Sequence, residues 1–129
     1  MPKAKTKPGK VPPVTVLSDD LEIVVDGETY HPHAGESVSF RGRQSVGDAM
    51  LAFSLQSLTE ATDASEIHRT LSDVVSKLAT RINGWTWTDD DGEAYESPPS
   101  AETLMRLSFE ELGWLIGGGK AKADDLKNG

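Results

Sequence analysis

The stretch that decides the fold of this chain is NGWTWTDDDGEAYESPPS, at residues 83–100, with the apolar run at residues 104–116 that follows it. Trp85 and Trp87 alternate with threonines, which predicts an extended segment carrying both indoles on one face. The two prolines near the end of the stretch prevent further strand pairing. We therefore expect the rest of the fold to accommodate an aromatic strand that is followed by helices.

The acidic run DDDGE at residues 89–93 predicts the loop of a hairpin. A two-residue turn would set two acidic side chains opposite each other, so we expect a four-residue loop that pairs Thr88 with Glu93. Calcium binding is the competing interpretation. An EF-hand loop in this frame would begin at Trp87 and end at Pro98, where carboxylates are required. We therefore expect an acidic hairpin loop, beside tryptophans at an exposed edge, and no calcium.

Two capped helices are predicted after this loop. Ser100 is a suitable N-cap for a short helix that continues through Leu107. The sequence SFEE at residues 108–111 has the spacing of a capping box and predicts a helix that ends at Ile116. The glycines at 117–119 are expected to end the fold.

The residues before the aromatic stretch predict two further helices. The sequence DASE at residues 63–66 has capping-box spacing, and apolar residues three and four apart continue the helix to about Arg81. Asn83 and Gly84 are predicted to stop it, because both tolerate the left-handed conformation. An earlier helix is predicted to begin after Ser45. Its expected apolar stripe contains Val46, Met50, Phe53 and Leu58, broadened by Leu51 and Leu55.

The N-terminal part predicts β-structure. Residues 21–31 carry β-branched side chains before an Asp-Gly dipeptide, which indicates a β-hairpin, and a short strand follows with Val38 and Phe40 on one face. The predicted fold is α+β, in which an N-terminal β-hairpin or small antiparallel sheet packs with a helical, mainly α C-terminal part. We expect a disordered basic arm at 1–13, a single domain at 14–117 and a disordered tail at 118–129.

Composition and charge exclude several classes of function. Residues 11–116 contain 6 basic and 19 acidic residues, a charge of −13, which disfavours binding to nucleic acid. The chain has no cysteine, no apolar run of bilayer-spanning length and no apolar signal-peptide core, so we expect a cytoplasmic protein that does not contact the membrane. The four lysines of the first ten residues are expected to solubilise the arm, with contact to an acidic partner as the alternative.

Chemical motifs are not evident. His31 and His33 flank a proline, but no third ligand follows at a recognisable spacing, so we expect no metal site. His68 lacks a partner nucleophile, and no serine lies in a nucleophile-elbow context. We predict no catalytic residues and no cofactor, and hence a protein that is not an enzyme.

The order of these motifs resembles the tail assembly chaperones of long-tailed bacteriophages of the siphophage type. The resemblance covers residues 21–116 and rests on VDGE-x-Y in the hairpin, two amphipathic helices, WTWTDDDG, and LS-x-EEL-x-WL near the C-terminus. It implies an acidic protein of the host cytoplasm that coats the tape measure protein and keeps it soluble until tail tube subunits polymerise around it. It also implies that the protein is absent from the mature virion.

The resemblance implies binding surfaces and no catalytic site. Aromatic side chains dominate interface hot spots, so the candidate protein-binding residues are Trp85, Trp87, Phe109 and Trp114. Packing in the protein's own core is the competing interpretation for each of them. The implied partners are the tape measure protein and tail tube subunits. Coating through many weak contacts also favours self-association of the chain.

The dipeptide Gly119-Lys120 is notable for the codons that can encode it. Gly119-Lys120 can be encoded by homopolymeric strings on which ribosomes slip, as in the longer form of many such chaperones, and a flexible tail is the competing interpretation. The first alternative function is a structural virion protein, such as a head–tail connector, tail or decoration component. The second is a small cytoplasmic adaptor that binds a protein.

Overall fold

The computed structural model describes residues 9–58, 60 and 63–118. Most of the predicted basic arm (1–8) and the tail from 119, including Gly119-Lys120, lie outside the described residues. The elements follow one another as β1 (Val14–Leu17), β2 (Ile23–Val25), β3 (Glu28–Tyr30), β4 (Ser37–Phe40), α1 (Val46–Leu58), α2 (Ala64–Arg81), β5 (Ile82–Trp85), α3 (Ala101–Leu104) and α4 (Phe109–Ile116). The predicted α+β class is confirmed.

The sheet is antiparallel and has the order β1-β4-β5. Val38 of β4 lies opposite Val16 on one side and Trp85 on the other, so the alternating face predicted for β4 is the buried face. Strands β2 and β3 form a separate hairpin. Asp26 and Gly27 have positive φ angles of 54° and 80°, which confirms the predicted tight turn.

Helix α2 packs against β5, α1 and α3 and buries one apolar face. Asp63 caps it by accepting a hydrogen bond from the Ser65 backbone, and Val74, Val75 and Leu78 are buried. The hydrophobic core combines these side chains with others from the strands and the C-terminal helices, and it includes Val38, Phe40, Leu51, Trp87, Leu104, Leu112 and Leu115. A core of this kind fixes the orientation of α4 relative to the sheet.

The predicted end of α2 at about Arg81 is confirmed, but the predicted left-handed cap at Asn83-Gly84 is wrong. Helix α2 ends at Arg81, and Ile82 is already extended, with φ −100° and ψ 117°. Ile82 pairs with Phe40 and Gly84 pairs with Ser39, so Asn83 is an extra residue in a bulge of β5. Burial of Ile82 and pairing with β4 therefore end the helix, and no left-handed cap is needed.

The predicted apolar stripe of α1 is also wrong in its orientation. Leu51 and Leu58 are buried as expected, but Val46, Met50 and Phe53 are exposed. Its cap is as predicted, because Ser45 Oγ accepts from the Asp48 amide and an Asp48 carboxylate oxygen accepts from the Ser45 amide. Helix α1 is apolar on nearly every side, so its sequence does not specify which face is buried.

The C-terminal segments differ from the prediction in two details. Thr88 pairs with Ala94 and not with Glu93, because the Asp89 amide donates to the Glu93 carbonyl and the loop is one residue longer. Helix α3 stops at Leu104, short of the predicted Leu107. The Ser108 capping box and the end of α4 at Ile116 are confirmed.

Over the ranges that the structure describes, no helix has both the length and the apolar character needed to span a membrane.

Candidate protein-binding surface

The three candidate tryptophans all lie in the core. Trp87 is fully buried and stacks on Trp85 with 4.8 Å between the ring centroids, and Trp114 lies 5.9 Å from Trp87. The shared face predicted for Trp85 and Trp87 is correct, but that face points into the protein and not to an exposed edge. Of the four candidates, only Phe109 is exposed.

Each indole N–H has a partner inside the fold. Trp87 Nε1 donates to Ser18 Oγ at 2.8 Å, and Trp85 Nε1 donates to the Glu96 carbonyl at 2.8 Å. Trp114 Nε1 donates to an Asp20 carboxylate at 3.2 Å. Trp87 and Trp114 therefore join the loop after β1 to the C-terminal part by hydrogen bonds as well as by packing. Packing in the protein's own core is the competing interpretation given from the sequence.

A buried histidine is the polar centre of the same cluster, and sequence analysis did not identify its role. His33 is 2% exposed and stacks on Trp87 with 3.8 Å between ring centroids. Its Nδ1 lies 2.7 Å from Glu36 Oε1, and its Nε2 lies 2.5 Å from Glu111 Oε2. Since ionised carboxylates only accept hydrogen bonds, both ring nitrogens donate in the protonated imidazolium.

The two neighbouring carboxylates set the protonation state of this histidine. Burial by itself lowers the pKa of His33, but hydrogen bonds and charge interactions with Glu111 and Glu36 outweigh burial and raise the pKa above 6.5. Burial raises the pKa of Glu111, and bonds from His33 and Ser108 more than reverse that effect and lower the pKa. The result is a buried cation between two anions that ties the β3–β4 loop to the start of α4.

These contacts argue against His33 as a metal ligand, because both of its nitrogens already face carboxylates. His31 Nδ1 lies 3.0 Å from the Asp19 carbonyl. In the acidic loop, Asp89 Oδ1 accepts from the amides of Asp91 and Glu93 and so is used within the loop itself. Among the described residues, no group of three His, Cys, Asp or Glu side chains is arranged to hold a metal ion.

The exposed apolar side chains of the helical part are concentrated on α1 and α4. Val46, Met50 and Phe53 are spaced i, i+4 and i+7 and so share one face of α1. The exposed fractions are 80% for Val46, 52% for Met50, 67% for Phe53 and 53% for Phe109. We refer to these four residues and the groove described next as the α1–α4 surface.

A groove of about 350 Å³ runs between the two helices. Its lining is predominantly apolar and consists of Ala52, Leu55, Gln56, Phe109, Gly113, Ile116 and Gly117. Glu110 follows Phe109 on α4 and is exposed, and neither helix contains a basic residue. The groove is therefore apolar, and an exposed carboxylate follows Phe109 along α4.

The scarcity of charged residues in α1 indicates an exposed apolar face, and the sequence analysis did not draw that conclusion. The sequence of α1, VGDAMLAFSLQSL, has a single charged residue, and a helix with apolar side chains all round requires cover on every side. The fold covers one side through Leu51 and Leu58 and leaves the opposite side open.

No protein-family model matches the chain, and no curated protein or solved structure is significantly similar to it.

Proposed function

We propose that this protein is a phage tail assembly chaperone that binds the tape measure protein and keeps it soluble during tail morphogenesis. The proposal joins the motif order described above to one structural observation, the exposed apolar side chains of Val46, Met50 and Phe53 on α1 and of Phe109 on α4. A tape measure protein is a very long helical chain whose apolar stripe has no partner until the tail tube closes around it, so it needs temporary cover.

Charge supports the same proposal. Residues 11–116 carry a charge of −13, so a client coated with several copies carries many like charges. Like charges keep coated clients apart and limit their aggregation. Weak contacts repeated along the client favour self-association of the chaperone, and incoming tail tube subunits would displace it. In this proposal the protein acts in the host cytoplasm and is absent from the mature virion.

The proposal predicts a gene for a long helical protein immediately downstream, and the test is co-expression with that protein. The wild-type chain is expected to raise the soluble yield of that client and to co-purify with it. Phe53→Ser and Phe109→Ser remove exposed apolar area without opening the core, so both are expected to fold and to lose the client. Val24→Ser is the matched control, because Val24 is equally exposed but lies on the β2–β3 hairpin.

The outcomes separate the proposal from its alternatives. If the wild-type chain neither binds nor solubilises the client, the chaperone proposal is wrong. Abundance of the chain in washed mature virions would instead favour a structural virion protein. The lack of a tape measure gene nearby, together with capture of a different protein through the same surface, would favour a cytoplasmic adaptor.

A further inference from the structure

Gly113 is the unusual residue of the α1–α4 groove. It lies in the middle of α4, and its φ is not among the positive values that favour glycine. A Cβ at this position would lie 3.9 Å from Leu55 Cδ2, which is an ordinary contact distance. Glycine is among the least favourable residues in a helix interior, so neither backbone conformation nor packing within the chain accounts for it. Because Gly113 has no side chain, the groove is deeper at this position than it would be with any other residue.

The surrounding residues give the groove the form of a helix-binding site. Phe109 is one turn before Gly113 and borders the low floor, while Ala52 and Leu55 line the α1 side. Small residues at the centre of a groove permit close approach of a second backbone, and aromatic residues at its border supply contact area. An amphipathic helix placed in such a groove inserts side chains at positions i, i+3, i+4 and i+7.

Charge decides which helix fits. Neither α1 nor α4 carries a basic side chain, Glu110 of α4 is exposed, and residues 11–116 carry a charge of −13. The Arg81 guanidinium, which donates to the Ile116 carbonyl at the end of α4, is buried. A second copy of the chain would bring the same acidic charge to the contact, and like charges would oppose that pairing. A helix with lysine or arginine beside its apolar stripe gains attraction at the same place.

We propose that the α1–α4 groove binds an amphipathic α-helix whose apolar stripe is flanked by lysine and arginine, with Gly113 as the point of closest approach. The inference deepens the proposed function by naming the part of a client that is bound. Its test uses a synthetic peptide, so that the two proposals can fail separately.

The probe is a peptide of about 18 residues, five helical turns, with leucine at i, i+3, i+4 and i+7 and lysine at the remaining positions. A second peptide carries glutamate in place of lysine. Titration of the full chain, followed through backbone amide chemical shifts, is expected to move the signals of Ala52, Leu55 and Gly113. We expect the glutamate peptide to bind roughly tenfold more weakly or worse, and added salt to reduce the difference.

Two glycine variants test the role of the groove floor. Gly113→Ala adds one methyl group to the floor, and we expect it to weaken peptide binding roughly tenfold while raising the melting temperature. Gly47→Ala is the matched control, because Gly47 lies in α1 with room for a Cβ, 3.6 Å from Ser45 Oγ, and outside the groove. It is expected to leave peptide binding unchanged.

Several results would overturn this inference. They are equal affinity for the lysine and glutamate peptides, shifts confined to the β2–β3 hairpin, or equal peptide binding by Gly113→Ala and Gly47→Ala. If the peptide occupies the groove but the downstream protein is not bound, the groove assignment stands and the chaperone proposal fails. If the downstream protein is bound equally well by Gly113→Ala, the chaperone proposal stands and the groove assignment fails.

Discussion

Replacing Glu111 with glutamine tests the contact between the buried His33 and Glu111 by changing one carboxylate oxygen to an amide nitrogen. The Glu111 side chain is 12% exposed, and it accepts from the Ser108 amide at 2.8 Å as well as from His33. Glutamine also serves at this position of a capping box, so Glu111→Gln keeps the cap of α4 while it removes the negative charge beside His33. Because the amide nitrogen of glutamine can only donate, the substitution removes both the charge and the acceptor that faces His33 Nε2, and it leaves the Ser108 contact in place.

The loss in free energy of unfolding expected for Glu111→Gln follows from the hydrogen bonds of His33. A hydrogen bond to a charged group contributes about 1.5–3 kcal/mol to the free energy of unfolding. Glu36 remains 2.7 Å from the other ring nitrogen and still balances the imidazolium, so we expect a loss of about 2 kcal/mol, near the middle of that range. In a domain of about 100 residues, this loss lowers the melting temperature by roughly 8 °C or more.

The pH dependence has a definite sign. The pKa of His33 is raised in the folded protein, so its contribution is complete below about pH 6.5 and is lost as the pH rises through the folded pKa. The pKa of Glu111 is lowered, so its contribution is complete above about pH 4.5 and is lost as the pH falls through the folded pKa. The wild-type chain should therefore be most stable between these two values and lose stability as the pH rises through the folded pKa of His33.

Urea unfolding at about pH 6, below the raised pKa of His33, and at a pH above that pKa measures both effects. Glu110→Gln is the matched control, because it removes the same charge from the neighbouring, exposed residue of the same helical turn. We expect it to change the stability little, and we expect Glu111→Gln to lose less stability than wild type between the two pH values. Equal costs for the two variants, or an unchanged loss between the two pH values in Glu111→Gln, would refute the ionic role of His33.

Three further predictions follow from the fold. Trp87→Ala should cost about 3–5 kcal/mol in urea unfolding, because Trp87 is fully buried, and a cost of less than about 1 kcal/mol would contradict its central place. Ser108→Ala should cost about 1 kcal/mol through loss of the α4 cap, measured in the same way, and no change would show that the cap is dispensable. Calcium or zinc should leave the melting temperature unchanged, whereas specific binding at 100-fold over Kd would add about 2.7 kcal/mol, so a rise of several degrees would reveal a site.

The parts of the fold that sequence analysis predicted are those set by local chemistry. The Asp-Gly turn requires positive φ at Asp26 and Gly27, and both residues have it. Ser108 and Glu111 form their capping box from neighbouring residues alone, and Asp63 caps α2 in a similar way. Each of these features depends on contacts within a few residues, so the pattern in the sequence is sufficient.

The errors arose where distant residues decide the structure. His33 and Glu111 are separated by 78 positions, and nothing in the sequence around either indicates the other. The end of α2 depends on pairing of Ile82 with Phe40, which overrides the local tendency of Asn83-Gly84 to form a left-handed cap. The periodicity of α1 did not identify its buried face, because nearly every face is apolar.

Site-specific photocrosslinking during co-expression with the downstream long helical protein tests the central claim most directly. A benzoylphenylalanine at position 53 reports on the α1–α4 surface, and the same group at position 24 reports on an equally exposed apolar residue of the hairpin. The account predicts a crosslink to the tape measure protein from position 53 and none from position 24. Crosslinking from neither position, or equally from both, would contradict the assignment of the α1–α4 surface as the client-binding site.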